Sequence, residues 1–260
     1  MIKKQNNLIS VLITNFNKAK FLNYSIKKLK EQEYKNFEII IFDDCSTDNS
    51  LEILKSFKEI KLIKNRKKKF KSPSLNQIYG VLRCFKKSRG KIICLMDADD
   101  IFTKKKLKFI NEYFNKNKNA KSLYNLPKTI GTHFKIRERL NEKIWPSIFP
   151  TSCISVKRKS FNKFIKFIKK TSFSNLEIDA RFVIFFKFFF NEYNFVNKKL
   201  TSYILDSNGI TSNIKKFSKK WWLRRLQAYE YMNYVKKLKK LNTEISVGYI
   251  FTKSINFILN

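Results

Sequence analysis

The stretch GKIICLMDADD, residues 90–100, contains the most informative pattern in the chain. Its apolar run from Ile92 to Met96 is typical of a buried β-strand. Three carboxylates follow, and like charges crowded at the end of a buried strand repel one another and lose hydration. A divalent metal, completed by phosphate oxygens and water, would relieve that repulsion. Asp also favours helix starts, so an acidic N-cap for a helix beginning near Thr103 is a second interpretation.

Two further apolar runs end in polar residues in the same way. FEIIIF at 37–42 leads into DDCSTDNS at 43–50, and LISVLI at 8–13 leads into TNFN at 14–17. A helical pattern follows each run, so the three runs predict a parallel βα sheet. Because ligands of open α/β sheets bind outside the carboxyl ends of the strands, these polar residues are expected to form one functional edge.

Composition indicates a globular protein with an unusual charge. The 260 residues suffice for one domain with a substantial core, and 43% of them are hydrophobic. The net charge of +36 favours an anionic partner, either a membrane surface or nucleic acid. However, Lys is spread over nearly every segment, which is equally typical of compositional drift in an AT-rich genome. Since no nucleic-acid-binding motif is present, no specific nucleic-acid partner is predicted.

Cysteine usage and the apolar segments bear on location. The four cysteines contain no C-x-x-C pair, and Cys94 lies inside a predicted core strand, which is typical of a reducing compartment. Residues 1–7 lead into the first strand without an apolar signal core. The apolar stretch at 182–186 is broken by Lys187 and is too short to span a bilayer. We expect a cytoplasmic protein, with peripheral attachment to the inner face of the cell membrane left open.

Three motifs, taken in order, resemble those of a known family. They are ITNFN at 13–17, DDCSTD at 43–48 and DADD at 97–100, each at a predicted strand end. Together they resemble a family 2 glycosyltransferase of the GT-A fold over residues 7–120. The resemblance implies an α/β fold with a Rossmann-like, mostly parallel central sheet flanked by helices, followed here by a helical C-terminal tail. It also implies an enzyme that moves a sugar from a nucleotide diphosphate to a hydroxyl acceptor.

Periodicity predicts the other elements and, with the resemblance, a domain division. Helices are expected at 18–33, from 47 or 48 onward, and at 74–88, 103–116, 159–169, 176–191 and 217–241, and strands at 60–63, 151–156 and, in part, 195–205. Gly90 is expected to end the third helix, and 125–150 to be a variable region. The predicted catalytic domain is 1–216, with a nucleotide-binding half at 1–120 and an acceptor half at 121–216, and the helical extension is 217–260.

The resemblance assigns the grip on the nucleotide to the first two motifs. The residues placed there are Thr14, Phe16, Asn17, Asp44 and Ser46. Phe16 would offer a stacking face to the base. Asp44 would accept a hydrogen bond from the imide N–H of uracil, which suits a group that is only an acceptor, so a UDP-sugar is expected. The alternative for Asp43 and Asp44 is turn or helix-capping chemistry with Ser46 and Asp48.

The third motif would neutralise the leaving diphosphate. By resemblance Asp97 faces the ribose, Asp99 binds a divalent metal, Mn²⁺ or Mg²⁺, and Asp100 is a second candidate ligand. The metal would bridge the phosphates and stabilise the charge on the leaving group. Many family members add a late His, but the corresponding residues 203–207 contain none. The one His of the chain, His133, is either a ligand or an ordinary side chain.

The catalytic base is assigned to the acidic residues before the Phe-rich helix. Glu177 and Asp179 stand two positions apart, and alternate residues of a helix do not share a face, so only one can point at the acceptor. Asp179 is favoured because the residues that follow it match the family pattern best. The other interpretation of Glu177 is a helix-start charge. One carboxylate opposite the leaving group implies a single displacement with inversion.

The resemblance leads to a function and leaves alternatives open. The expected enzyme is an inverting, metal-dependent glycosyltransferase of cell-surface polysaccharide or lipopolysaccharide synthesis, with a glycan or lipid-linked acceptor. The alternative is a degenerate GT-A domain that holds nucleotide or anionic lipid without turnover. In the tail, Trp221 and Trp222 stand beside Arg224 and Arg225, a combination of interfacial aromatics and cations, and the segment 245–259 adds apolar residues around Lys253. The tail therefore either attaches the protein to an anionic membrane surface or packs onto the catalytic domain.

Overall fold

The computed structural model describes residues 5–130, 146–168, 173–205, 209, 214–243 and 245–259. Strands and helices alternate in the first part of the chain, as the apolar runs predict. These elements are β1 (Ile9–Asn15), α1 (Ala19–Lys30), β2 (Phe37–Asp43), α2 (Ser50–Lys55), β3 (Ile60–Lys64), α3 (Pro73–Lys87) and β4 (Ile92–Asp97).

The later part of the chain has shorter strands and more helix. Its elements are β5 (Ile101–Phe102), α4 (Lys106–Lys116), β6 (Ser122–Ile130), a 3-10 turn (Thr151–Cys153), β7 (Ile154–Lys157), α5 (Arg158–Ile168), α6 (Ile178–Phe189), β8 (Phe195–Ile204), α7 (Lys219–Leu238) and α8 (Val247–Leu259).

The described strands form one sheet in the order β3-β2-β1-β4-β7-β6-β8-β5. The half from β3 to β4 is parallel, as the βα pattern predicts. Beyond β4 the sheet is mixed, because β7 runs antiparallel to both β4 and β6, and β5 runs antiparallel to β8. The α/β class is confirmed, and the parallel character is confined to one half of the sheet.

Strand register brings the three motifs to one edge of the sheet. Thr14 lies beside Phe42 on one side and beside Asp97 on the other, and Asn15 lies beside Asp43. Parallel strands end at the same edge, so the residues that follow β1, β2 and β4 meet there. The predicted functional edge is therefore present.

Two hydrophobic layers cover the two faces of the sheet. In β1, Val11 and Ile13 belong to the layer shared with α1 and α4, while Leu12 belongs to the layer shared with α3, α5, α6 and α7. Successive side chains of a strand point to opposite faces, so a strand that is apolar at every position must be covered on both. The continuous apolar runs thus explain the two layers.

The Phe-rich segment is the central helix of one layer. Residues 182–186 of α6 are fully buried, and their rings stack along the helix. Phe182 and Phe186 have centroids 4.1 Å apart, and Phe185 and Phe189 4.5 Å apart. A helix that is apolar all round belongs in a core. Within the described residues, no helix is both long and apolar enough to cross a membrane.

The tail helix α7 packs into the same layer. It begins at Ser218, whose hydroxyl accepts a hydrogen bond from the backbone N–H of Trp221 at 3.3 Å. Tyr231, Met232 and Val235 are fully buried in the core that contains α6. The packing role foreseen for the tail is thus filled by α7. The predicted domain division at residue 216 does not coincide with a break in this core.

Several local expectations need correction. Residues 122–130 form strand β6, although 125–150 was expected to be variable, and the two-residue strand β5 precedes α4, which starts at Lys106 rather than 103. The predicted strand at 151–156 begins only at Ile154. The third helix ends at Lys87 with Ser88 as its C-cap residue, and Gly90 has another role. A Cβ at Gly90 would lie 2.5 Å from the backbone nitrogen of Ser10, so glycine permits a close approach to β1.

Candidate functional site

A cavity of about 370 Å³ opens at the carboxyl edge of β1, β2 and β4. Thr14, Phe16, Asp44, Asp97, Asp99, Glu177 and Asp179, all predicted site residues, contribute to its lining. Asn17, Ser46 and Asp100 are absent from the described lining. The fold thus brings together side chains separated by more than a hundred positions in the sequence. His133 and the segment 206–208 lie outside the described residues.

The ends of β1 and β2 present an aromatic face and a carboxylate. The ring of Phe16 is 41% exposed, and the ammonium group of Lys68 lies 3.3 Å from its centroid. Asp44 is nearly buried, and one of its oxygens accepts a hydrogen bond from the amide of Asn65 at 2.8 Å. Because a carboxylate oxygen has further acceptor capacity, Asp44 can also accept from a ligand in the cavity.

Asp43 organises the turn instead of facing the cavity. Its oxygens accept hydrogen bonds from the amide of Asn15 at 2.7 Å and from the hydroxyl of Ser46 at 2.6 Å. The hydroxyl of Ser46 in turn accepts from the backbone N–H of Asn17 at 3.0 Å, and the Asn17 side chain pairs with Thr47. For Asp43 the structure shows the turn chemistry that was the alternative interpretation. The nucleotide roles of Asn17 and Ser46 stay predictions.

Asp97 and Asp99 stand at the end of β4, on the cavity. The amide of Gln77 donates to Asp97 at 3.0 Å, and the ammonium of Lys18 pairs with Asp99 at 2.7 Å. Burial, reinforced by the negative charges of Asp99 and Asp179, raises the pKa of Asp97 well above its usual range. Removal of these carboxylates from water therefore has a cost that a bound cation would offset.

Asp100 follows Asp99 in the loop after β4 and does not line the cavity. Its side chain is fully buried, and one oxygen accepts from the backbone N–H of Ile204 at 3.0 Å, which ties the loop after β4 to β8. Burial raises the pKa of Asp100 well above its usual range. Lys106 is also fully buried, and its ammonium donates to the hydroxyl of Thr201 at 2.7 Å. Burial lowers the pKa of Lys106 to about 8. Asp100 is thus placed to support the loop, and its metal role stays a prediction.

Glu177 and Asp179 differ in what holds them. Arg224 of α7 donates through Nε to both oxygens of Glu177, at 2.8 and 2.7 Å. Glu177 is the N-cap residue of α6, and Asp179 stands in its first turn with one oxygen accepting from the backbone N–H of Ala180 at 2.7 Å. Burial and the charge of Glu177 raise the pKa of Asp179 above its usual range. A carboxylate with a raised pKa facing a cavity is suited to accept a proton.

The carboxylates of the cavity fit a divalent metal that takes its other ligands from substrate phosphates and water. Among the described residues, no group of three His, Cys, Asp or Glu side chains could hold a metal by itself. Mg²⁺ and similar ions are commonly held by one or two carboxylates, with substrate phosphates and water as the other ligands. Asp97 and Asp99 provide two such carboxylates on one cavity, and Lys18 neutralises Asp99 in the structure. The donor set therefore fits an ion that arrives with a diphosphate.

Sequence reasoning missed several residues that shape the cavity. Lys18, Lys68, Lys71 and Lys220 line it, as does Tyr203. In a chain with 56 Lys and Arg residues, no local signal marked these four lysines. Gln77 could have been found, because it lies one position after Asn76 on a helix that follows the second motif and faces β4.

Comparisons with known proteins agree with this geometry. The model for the glycosyl transferase family 2 matches residues 10–193. An uncharacterized glycosyltransferase of Rickettsia conorii is 39% identical over 108 residues, which is 40% of this chain and 17% of that protein. The minor teichoic acid biosynthesis protein GgaA of Bacillus subtilis is 31% identical over 112 residues, or 41% of this chain and 25% of that protein. The chain therefore spans only a minor part of these curated relatives.

Two solved structures resemble the whole fold at low sequence identity. TarS of S. aureus in complex with UDP has a TM-score of 0.60 at 15% identity, covering 95% of this chain and 69% of that one. The mannosyltransferase PcManGT of Pyrobaculum calidifontis, in complex with GDP-Man and Mn²⁺, has a TM-score of 0.59 at 13% identity, covering 92% and 66%. These likenesses show the fold. With the family match over most of its length, the chain belongs to the glycosyl transferase family 2.

Proposed function

We propose that this chain is the catalytic domain of a glycosyltransferase that moves a sugar from a nucleoside diphosphate, UDP, to a hydroxyl acceptor with inversion. One observation carries the proposal. Asp44, Asp97 and Asp179 come from three separate elements and line one cavity. A transfer of this kind needs a nucleotide grip, a site for the diphosphate and a base, and the cavity offers one carboxylate for each.

The nucleotide would lie against the ends of β1 and β2. The half-exposed ring of Phe16 offers a face for the base, and Asp44 offers an acceptor for the imide N–H of uracil. The solved complex of TarS with UDP is consistent with this choice of nucleotide. Asp44→Ala should weaken UDP binding by about 1.5–3 kcal/mol, the value of a hydrogen bond to a charged acceptor. CDP has no imide N–H, so it should be weakened much less; equal weakening of both would assign Asp44 a structural role.

The diphosphate would lie beside Asp97 and Asp99. The resemblance places Asp97 at the ribose and the metal at Asp99. A divalent ion held by Asp99, with Asp97 on the same cavity, would neutralise charge on the leaving diphosphate. Lys18 pairs with Asp99 at 2.7 Å and lines the same cavity. If the ion replaced Lys18 at Asp99, the Lys18 ammonium would be available to a phosphate oxygen. Asp99→Ala should abolish the Mn²⁺-dependent part of UDP binding. UDP binding that is insensitive to both EDTA and this substitution would contradict the metal assignment and leave the transfer itself untouched.

The acceptor hydroxyl would lose its proton to Asp179. As the acceptor oxygen bonds to the anomeric carbon, the bond from that carbon to the diphosphate oxygen breaks, and the configuration inverts. Asp179 is a better candidate for this role than Glu177, because Arg224 engages both oxygens of Glu177. The raised pKa of Asp179 makes it a stronger base than an ordinary carboxylate.

The decisive experiment compares transfer with binding in one variant. Asp179→Asn should reduce sugar transfer by about 10²–10⁴-fold, the usual contribution of a general base, while UDP binding persists. Glu52→Gln, which neutralises an exposed acid of α2, is the matched control and should leave both unchanged. Donor hydrolysis can serve as the readout while the acceptor is unidentified.

Two outcomes would direct the function elsewhere. UDP binding without turnover in the unmodified protein would favour the alternative of a degenerate domain that holds nucleotide only. Full activity in Asp179→Asn would remove the base assignment. The resemblance to GgaA, a teichoic acid biosynthesis protein, supports placing the reaction in cell-surface polysaccharide or lipopolysaccharide synthesis.

A further inference from the structure

The last helix of the described chain, α8, presents its small and polar residues to the protein. Thr252 and Asn256 are buried against α7, and Gly248 faces the same helix. The amide of Asn256 donates to the carbonyl of Trp222 at 3.0 Å, and the hydroxyl of Thr252 accepts from Arg225 at 3.0 Å. Hydrogen bonds therefore dock this helix, together with the aromatic contacts of Tyr249 with Tyr229 and of Phe251 with Trp222.

The opposite face of α8 is apolar and exposed. Its side chains are Val247 (83% exposed), Ile250 (53%), Phe251 (57%), Phe257 (87%) and Ile258 (78%). A surface helix of a globular protein normally has the reverse arrangement, with its apolar stripe facing the core. A contiguous exposed apolar patch marks an interaction surface. We call these five residues the α8 apolar face.

Exposed lysines flank the α8 apolar face at both ends. Lys237 lies in the last turn of α7, and Lys239 and Lys240 follow it in the connection to α8; all three are exposed. Lys219 and Lys220 open α7, and the contact between Asn256 and Trp222 places the end of α8 beside that turn. Lys253 is exposed within α8 itself. Apolar side chains framed by cations on a helix are typical of a segment that lies in a membrane interface.

We propose that the α8 apolar face binds the surface of a bilayer that contains anionic phospholipid, with α8 lying in the plane of the interface. Buried apolar area and a basic cluster are the two signals that together give stable attachment. A second copy of the chain is a poorer occupant, because it would bring its own lysines against these lysines. The proposal goes beyond the transfer reaction and does not rest on it.

For the aromatic and basic residues at 221–225, the structure shows the packing alternative. Trp222 is 9% exposed and packs against Trp221 and Phe251, and Arg224 holds Glu177. These residues fasten α7 and α8 to the domain. Of the tail segments for which membrane attachment was predicted, the α8 apolar face is therefore the one that we propose for this role.

The position of α7 connects this face with the cavity. Lys220 lines the cavity, and it belongs to the same helical turn as the exposed Lys219 beside the end of α8. Attachment through α8 would bring the cavity near the lipid surface. Resting on the proposed function, this arrangement favours an acceptor hydroxyl carried by a lipid-linked glycan.

Vesicle co-sedimentation of the full chain tests the proposal. The unmodified protein should bind vesicles of phosphatidylcholine with phosphatidylglycerol, bind pure phosphatidylcholine weakly, and lose binding as salt rises. The double variant Phe257→Gln, Ile258→Gln keeps the charge and should weaken binding at least about tenfold, from the apolar area withheld from the lipid. Val247→Gln, at the other end of the face, is a second variant with an effect in the same direction. Tyr24→Gln removes an aromatic ring that is 56% exposed on α1, away from the α8 apolar face. It is the matched control, and this variant should bind vesicles as the unmodified protein does.

Three results would overturn the proposal. Equal vesicle binding by the unmodified protein and both α8 variants would show that lysines alone attract the lipid. A dimer in solution that the double variant dissociates, without vesicle binding, would show that a second copy covers the face. A lower melting temperature for both variants would show that these side chains are buried in the protein in solution. UDP binding, measured on the same variants, should be unchanged, so failure here is distinct from failure of the proposed reaction.

Discussion

Removal of the Arg224 guanidinium should expose how the tail helix supports the site. Arg224 donates to both oxygens of Glu177, which is 5% exposed, while the Arg224 side chain is 32% exposed. Arg224→Leu retains much of the apolar stem and removes the charge. A carboxylate would then lie buried without its partner at the start of α6, two residues from Asp179.

The expected cost follows from the burial of the two partners. Breaking a fully buried ion pair by removing one partner costs about 3–5 kcal/mol, because the other charge is left uncompensated. Arg224 is partly in water, where charge interactions are screened, so we expect a smaller loss of about 2–3 kcal/mol at pH 7.5. Glu177→Gln combined with Arg224→Leu removes both charges and should recover most of that loss.

Urea unfolding of the three variants measures these values. Lys219→Leu removes a cation from the same helix at an exposed position and should cost less than about 0.5 kcal/mol. A loss below about 1 kcal/mol for Arg224→Leu, or a double variant no more stable than the single one, would refute the argument that this pair clamps α7 to α6.

The same substitution gives a second, independent readout at Asp179. The positive charge of Arg224 lowers the pKa of Asp179, against the larger effects of burial and of Glu177, which raise it. Without Arg224 the pKa of Asp179 must rise. Since a base works only when deprotonated, the acid side of the pH–activity profile should shift to higher pH, and activity at pH 6.5 should fall more than activity at pH 9. An unchanged profile would contradict Asp179 as the base that Arg224 influences.

Three further predictions concern the scaffold around the site. Gly90→Ala should lower stability by about 1–3 kcal/mol in urea unfolding, because its Cβ would lie 2.5 Å from the backbone of β1; Gly248→Ala, which meets only a movable hydroxyl, should cost less. Glu38→Gln should lose stability at pH 7 and little at pH 2. Burial raises the pKa of Glu38, but its ion pair with Lys61 and several hydrogen-bond donors lower it to about 2. The contribution of Glu38 to the free energy of unfolding is therefore present above pH 4.5 and is lost as the pH falls toward 2. A chain that ends at Lys216 should fail to melt cooperatively, because residues of α7 fill the core around α6.

The parallel half of the fold could be predicted because its signals are local. The runs that became β1, β2 and β4 are apolar at nearly every position, and such runs bounded by polar residues are typical of buried strands. Strand β6 was missed because Asn125 and Pro127 interrupt its pattern, and its register against β8 shifts at these positions. Strand β5, with two residues, pairs with β8 about a hundred positions later, and no window of sequence contains that pairing.

The residues of the candidate site also fall into those that the sequence predicts and those whose role depends on distant partners. Asp44 and Asp97 could be placed on the functional edge from their positions behind predicted strands, and the structure puts both on the cavity. The choice between Glu177 and Asp179 as the free carboxylate depends on Arg224, which is 47 positions away. The role of Asp43 depends likewise on a hydrogen bond to Asn15, 28 positions earlier. Periodicity reports which face a residue occupies, and it does not report which partner it meets there.

Part of the high positive charge of the chain lies at the cavity. Four lysines come from three separate segments and line a site that also holds several carboxylates: Lys18, the pair Lys68 and Lys71 of one loop, and Lys220. A cavity with low-dielectric walls concentrates the field of its charges, so lysines at its rim attract a diphosphate before the carboxylates can repel it. The carboxylates at the base of the cavity then require a cation or a proton, and that requirement links nucleotide binding to metal binding and to proton transfer in a single cavity.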